Sequence, residues 1–441
     1  MPKDGVNVGI IGFGTVGTGT ARILLENADV IQRRLGFPVF LRRIADLDTK
    51  KDRGIKLPKG VLVPDAGEIL DDPEIDIVAE LIGGTKAAKD FILKAIRSKK
   101  HIVTANKALL ALAGNEIFAE AEKNGVSVGF EASVAGGIPI VKVIREGLIA
   151  NRILSIYGII NGTSNYILTK MTEEGIEFSV ALKEAQRLGY AEADPTFDIE
   201  GIDTAHKLTI LASLAYGIPL SFDKVYKEGI TKISPDDIKF AEEFGYKIKL
   251  LAVAKATGGL ASSIDGKLEL RVHPTMLPKD YLISKVDGVF NAIFVKGDAV
   301  GDTLYYGRGA GAMPTGSAVV ADICDIARGI KTGAIQSILG IKEAGVNIKG
   351  IEEIESMYYF RFSALDRPGV LSKISGILGA HNISIASVIQ KDRRVGEAVP
   401  LVILTHRAVE RDIRNAVAEI DKLPVLADKT RYIRVEGPES D

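Results

Sequence analysis

Val6-Asn7-Val8-Gly9-Ile10-Ile11-Gly12-Phe13-Gly14-Thr15-Val16-Gly17 decides the fold. An apolar run of strand length stops at a glycine, and a helical pattern follows from Thr18 to about Arg33. Such a short run bounded by glycine reads as a parallel strand buried on both faces. Gly12 permits a tight turn, Gly14 lets backbone approach a pyrophosphate, and Gly17 lets helix pack on strand. The helix N-terminus offers N–H groups and positive potential to phosphates. Three glycines at this spacing arise by chance; the strand before and the helix after are what make them a dinucleotide site.

Outward from this stretch the alternation continues. A second strand, 39–45, ends in Asp46, and 75–81, 101–104 and 126–130 are further apolar strand candidates. Helical patterns at 86–98 and 107–123 lie between them. Strand alternating with helix predicts an α/β, Rossmann-type open parallel sheet covered on both faces. We assign residues 1–135 to this dinucleotide-binding domain, completed by a returning helix at 313–329. Residues 136–312 read as a mixed α+β catalytic and dimerisation domain, with strands at 153–160, 248–254, 268–272 and 289–295. A linker, 330–355, precedes 356–441, where strands and two helices read as a ferredoxin-like β-α-β-β-α-β unit.

The chain has 441 residues, enough for two or three domains with their own cores. Lys+Arg 56 against Asp+Glu 57 leaves a formal charge of −1, which argues against a nucleic-acid partner. No apolar run approaches the roughly 18–20 residues that span a bilayer, and no leader pattern opens the chain. A cytoplasmic enzyme with no membrane partner is expected. The single cysteine, Cys324, excludes an internal disulfide framework and a multi-cysteine metal site, and its helical context suits packing better than nucleophilic attack.

The chemistry is concentrated in Gln186–Lys207, Q-R-L-G-Y-A-E-A-D-P-T-F-D-I-E-G-I-D-T-A-H-K. Five carboxylates precede one lysine, and apolar residues interleave the acids. Asp203 and Lys207 are four apart, on one helix face. As a surface pair they would contribute only about 0.3–0.5 kcal/mol. At the mouth of a buried pocket they could hold a zwitterion and move a proton. Thr104-Ala105-Asn106-Lys107 ends a parallel strand, where open α/β sheets bind ligands; a solvated lysine at a helix start would oppose the dipole. Glu131-Ala132-Ser133-Val134-Ala135-Gly136-Gly137-Ile138-Pro139 reads either as an interdomain hinge or as a carbonyl-lined cradle for a small hard cation. Asp46 favours NAD by accepting from the ribose, while Arg42, Arg43, Lys50 and Lys51 nearby could offset its repulsion of a 2′-phosphate, so NAD(P) is expected without preference.

These motifs, with N-G-T-S-N-Y-I-L at 161–168, together resemble homoserine dehydrogenase over roughly residues 5 to 330. The turn Asp366-Arg367-Pro368-Gly369-Val370-Leu371 and the strand His381-Asn382-Ile383-Ser384-Ile385 resemble an ACT domain, a module that commonly binds an amino acid. The resemblance implies reversible NAD(P)H-dependent reduction of L-aspartate 4-semialdehyde to L-homoserine, on the route to threonine, methionine and isoleucine. It implies Lys207 as proton donor, Lys107 beside nicotinamide and substrate, and Glu192, Asp198 and Asp203 at the substrate. Gly189 and Gly309 would line the cofactor cleft, with Phe13, Thr15 and Val16 at its diphosphate or nicotinamide side. It further implies a sodium ion held by Glu131 and the carbonyls of Val134, Gly136 and Ile138. Threonine at the ACT domain and a homodimer or higher homo-oligomer complete the expectation. Family members often carry an arginine near the position of Leu47, a departure that puts strict NADP preference in doubt. A rival, aspartate-semialdehyde dehydrogenase, needs a cysteine nucleophile that Cys324 fits poorly. A non-catalytic amino-acid sensor would have no use for Lys107, Asp203 and Lys207 together.

Overall fold

The computed structural model describes residues 4–257, 266–334, 346–391 and 397–437. Part of the expected linker, 335–345, lies outside the described residues. The chain divides into two units: 1–162, 203–225 and 289–346 form one, and 163–202, 226–288 and 347–441 the other.

The first unit contains the expected parallel sheet. Strands β1 (Val6–Ile11), β2 (Val39–Ala45), β3 (Leu62–Val63), β4 (Ile77–Glu80), β5 (His101–Thr104) and β6 (Val128–Gly129) lie in the order β3-β2-β1-β4-β5-β6. All five pairings are parallel. The order reverses between β1 and β4, which is where a doubly wound sheet opens its ligand crevice. Helices α1 (Thr15–Glu26), α2 (Ala28–Leu35), α3 (Gly67–Leu70), α4 (Lys86–Arg97) and α5 (Lys107–Asn124) connect the strands. The helical pattern read from Thr18 to Arg33 is therefore two helices, because Asn27 breaks it. Helix Ala312–Thr332 packs Val319, Ile323 and Ile326 into one core with Val8, Ile10, Ala79 and Val103. It crosses α1 at glycine: a Cβ on Gly19 would lie 2.0 Å from the Ala312 carbonyl oxygen. Strands Ile153–Ile159, Phe290–Gly297 and Gly301–Arg308 make an antiparallel sheet in the same unit. The last of these was not expected, because its half-exposed edge lacks a continuous apolar run.

In the second unit Tyr246–Thr257 and Lys267–Pro278 pair antiparallel along twelve residues each, longer than their apolar centres suggested. Residues 356 onward form the ferredoxin-like module: strand Glu355–Leu365, helix Val370–Ala380, strands Ile385–Ile389 and Ala398–Thr405, helix Glu410–Ile420 and strand Arg431–Val435. The two helices cover one sheet face, with Tyr358, Phe360, Phe362, Ile374, Leu378 and Ile413 in the core. The final strand also pairs with Lys267–Pro278, Thr275 opposite Arg434, so one sheet runs through both parts of this unit.

Candidate active site

The glycine turn after β1 has the geometry its sequence predicts. Gly12 sits at φ 102°, and a Cβ there would meet the Leu81 carbonyl at 2.7 Å, at the end of β4. A Cβ on Gly17 would lie 2.0 Å from the Gly12 oxygen, so only glycine lets α1 approach the strand. A Cβ on Gly14 would meet nothing within 4 Å, leaving the backbone open towards the crevice. Thr15 is exposed and Val16 half-buried at the start of α1, whose first turn carries no acidic side chain to oppose an anion.

Asp46, at the end of β2, accepts the Phe13 N–H at 2.7 Å and the Asp48 N–H at 2.9 Å. Its partner is Arg53, whose guanidinium donates to Asp46 Oδ1 at 3.0 Å and to the Phe13 carbonyl at 2.5 Å, and lies over the Phe13 ring. The basic residues named from sequence are placed otherwise. Arg42 pairs with Asp72, and Arg43 donates to the Gly60 carbonyl. Arg53 was missed because six residues of loop separate it from Asp46, and no periodic pattern marks that return.

At the other end of the crevice Asp203, Lys207 and Lys107 come together. Asp203 Oδ2 receives Lys207 Nζ at 2.7 Å, and Oδ1 lies 2.7 Å from Lys107 Nζ. Lys207 also donates to the Ile160 carbonyl at 2.6 Å, and Asn161 Nδ2 to Asp203 at 2.9 Å. Asp203 and Lys207 are buried, whereas the Lys107 side chain is 41% exposed. Burial alone would raise the Asp203 carboxyl, but the ammonium groups of Lys207 and then Lys107 outweigh it and hold the group far below the usual carboxylate range. Asp203 is therefore a fixed anion between two cations. Asn161, quoted within a motif but given no role from sequence, is a fourth member. His206 turns away and packs tilted against the Phe222 ring, with centroids 4.5 Å apart.

Lys107 is aimed by the end of the sheet. Asn106 caps α5 by accepting the Leu109 N–H at 3.0 Å and donates to the Gly84 carbonyl at 2.7 Å. Thr104 Oγ1 accepts the Asn106 N–H and donates to the buried Glu80 at 2.7 Å. Burial pushes the Glu80 carboxyl up to about 7. Glu80 was read only as the end of an apolar strand.

The Glu131 segment is a tight, buried loop. Ala135 and Gly136 follow one another at φ 53° and 52°, and a Cβ on Gly136 would press on the Gly309 oxygen at 2.6 Å. Glu131 accepts the N–H groups of Val141 and Lys142 at 2.9 and 2.8 Å, and its own N–H donates to Asp322. Burial raises Glu131 to about 7 and Asp322 to about 8. Val134 and Ile138 are buried beside it. A carboxylate has about four acceptor sites, so the two N–H bonds leave Glu131 capacity for a cation together with loop carbonyls. Gly309 packs on Asn291, a buried amide that sequence did not suggest; its Oδ1 has no hydrogen-bond partner among the described residues.

Gly189, Glu192 and Asp198 belong to the second unit. Gly189, at φ 76°, follows helix Phe178–Arg187; Glu192 is exposed; Asp198 is half-buried in a single turn whose Asp198 carbonyl accepts Ser164 Oγ at 2.9 Å. Burial raises the Cys324 thiol to about 11, away from the thiolate that the thioester chemistry of the rival reading would need.

Over nearly its whole length the chain is similar to known proteins. Residues 12–131 match the model for "Homoserine dehydrogenase, NAD binding domain", 139–324 that for "Homoserine dehydrogenase", and 358–425 that for "ACT domain". A homoserine dehydrogenase of Neisseria gonorrhoeae is 51% identical over 437 residues, covering 98% of this chain and 99% of its own. The crystal structure of a homoserine dehydrogenase from Thiobacillus denitrificans is 48% identical, with a TM-score of 0.91 over 98% of both chains. A hyperthermophilic archaeal homoserine dehydrogenase in complex with NADPH is 27% identical, with a TM-score of 0.59 over 73% of this chain and 97% of its own. Strands β2 to β6, the two lysines and most of the C-terminal module thus fall in the regions these models cover, and the chain belongs to the homoserine dehydrogenase family.

Proposed function

We propose that this oxidoreductase catalyses the reversible NAD(P)H-dependent reduction of L-aspartate 4-semialdehyde to L-homoserine, supplying threonine, methionine and isoleucine synthesis in the cytoplasm. The observation that carries the reading is the Asp203 carboxylate held between Lys107 and Lys207. The bound nicotinamide supplies a hydride to the aldehyde carbon. Negative charge then builds on the aldehyde oxygen, and Lys207 donates a proton to it, becoming neutral; in reverse Lys207 removes the hydroxyl proton. Lys107 stabilises the same developing charge, and Asp203 keeps both ammonium groups oriented. Glu192, Asp198 and Asp203 recognise the substrate's amino-acid end, while Gly189 and Gly309 line the cleft.

Gly12, Gly14 and Gly17 shape the turn that would take the cofactor diphosphate, with Phe13, Thr15 and Val16 at its diphosphate or nicotinamide side. Arg53 offsets the charge of Asp46, which supports acceptance of both NAD and NADP. Glu131 and the carbonyls of Val134, Gly136 and Ile138 would hold a sodium ion, whose fixed charge orders that loop. The ACT module supports feedback by an amino acid, threonine being the expected one. The outer edge of strand Gly301–Arg308 supports a homodimer or higher homo-oligomer. Among the described residues no helix is long and apolar enough to cross a membrane.

The test is L-homoserine oxidation followed as NADH and NADPH formation by wild type and Lys207→Ala. A fall in kcat of about 10²–10⁴-fold, with nucleotide binding intact, is expected. Full activity in the variant would remove Lys207 from the mechanism.

A further inference from the structure

We propose that a cleft in the second unit, between strand Arg431–Val435 and the segment that follows Val225, binds a small organic or inorganic dianion. The cleft has a volume of about 480 Å³. Five cations line it: Lys227, Lys232, Arg414, Arg431 and Arg434. Three carboxylates, Glu200, Glu228 and Asp237, also line it. Two of these acids are engaged by arginine. Glu228 receives Arg434 Nη1 at 2.9 Å, and Asp237 receives Arg361 Nε at 2.6 Å. Arg434 and Arg414 are themselves fixed by the buried Glu410, at 2.8 Å and 3.0 Å through their Nε atoms. Among the described residues Arg431 and Lys232 have no ion-pair partner. The lining therefore keeps an excess of positive charge on side chains that no acid satisfies, beside the rings of Tyr226 and Tyr432. An anion with two charges and a short carbon or phosphorus centre matches this better than a zwitterion, whose ammonium would meet the excess cations. None of the Asp366–Gly369 turn lines the cleft.

The position gives such a ligand a lever. Glu228 precedes Gly229, and a Cβ there would lie 2.4 Å from the Ile199 oxygen, so glycine seats this segment on the Ile199–Glu200 backbone. Ile230 donates its N–H to that same Ile199 oxygen at 2.8 Å, and Thr231 Oγ1 reaches Glu200 at 3.4 Å. Glu200 is three residues before Asp203 in the chain. An anion drawing on Arg431 and Lys232 binds against the segment that Gly229 and Ile230 seat on the Ile199–Glu200 backbone.

The test uses the full-length chain, with inorganic phosphate and succinate as probes and sodium chloride at matched ionic strength as control. Each probe at millimolar concentration is expected to raise the melting temperature of wild type by a few degrees, by mass action on the folded state. The double variant Arg431→Glu/Lys232→Glu is expected to lose the rise. Should charge reversal lower the variant's own stability, Arg431→Gln/Lys232→Gln serves in its place. A rise with phosphate alone assigns the site to phosphate groups, and with succinate alone to dicarboxylates. No rise in wild type, or an equal rise in the glutamine pair, would overturn the proposal. A second reading, the KM for L-homoserine with and without the active probe, rests on the function proposed above. The melting shift does not, so failure of one is distinguishable from failure of the other.

Discussion

Asp203 holds its negative charge against burial chiefly because two lysines face it. Replacing it by asparagine preserves shape and removes the anion. Two ammonium groups then repel across a carboxamide, which favours the neutral form of each lysine. For Asp203→Asn we expect the basic limb of the pH–rate profile for aldehyde reduction to move to lower pH, with kcat down about 10²-fold. A lowered kcat with an unmoved limb would restrict Asp203 to positioning. The glycines at 12, 14 and 17 and the Asp203–Lys207 spacing were legible because each is local: a turn needing positive φ, and one helical turn. Their meeting with Lys107, nearly one hundred residues away, was inferred only from resemblance. Arg53, Asn161 and Asn291 were not assigned a role, because a side chain returning from a loop leaves no period in the sequence.

At the scale of elements, β4 and β5 are tied at their functional ends by Glu80 and Thr104. The Glu80 carboxyl titrates near 7 in the folded chain against an ordinary value of 4.5. Its folded pKa is raised, so the folded state binds more protons between those values. The stability it contributes is complete below about pH 4.5 and declines as pH rises through about 7. In Glu80→Gln the fall in melting temperature between about pH 5 and 8 should be shallower than in wild type. An unchanged slope would mean that Glu80 stays ionised in the fold. Strand β4 itself was legible as an apolar run. The buried acid at its end was not, since burial of a terminal carboxylate depends on what the next strand brings beside it.

Across the whole molecule, the C-terminal module shares buried charge with the rest of its unit. Arg271 reaches Glu436 at 2.6 Å, Arg434 reaches Glu228, and Arg361 holds Asp237. A chain ended after residue 346 removes Arg361 from Asp237 and Glu436 from Arg271, and takes away the strand that pairs with Lys267–Pro278. The truncated chain should therefore melt well below full length in calorimetry, or fail to accumulate as soluble protein; an equal melting temperature would show the module to be an independent attachment. The β-α-β-β-α-β order was legible from periodicity. These pairs span more than one hundred residues, and sequence offers no register for them.

The return of helix Ala312–Thr332 to the N-terminal sheet has a consequence during synthesis. Strand β6 has left the ribosome long before that helix exists, and the roughly two hundred intervening residues take about 10–40 s to translate. For that interval the nascent sheet shows the apolar face that Val319, Ile323 and Ile326 will later cover. The newborn chain is thus a natural client for a chaperone that shields it until about three quarters of the message has been read.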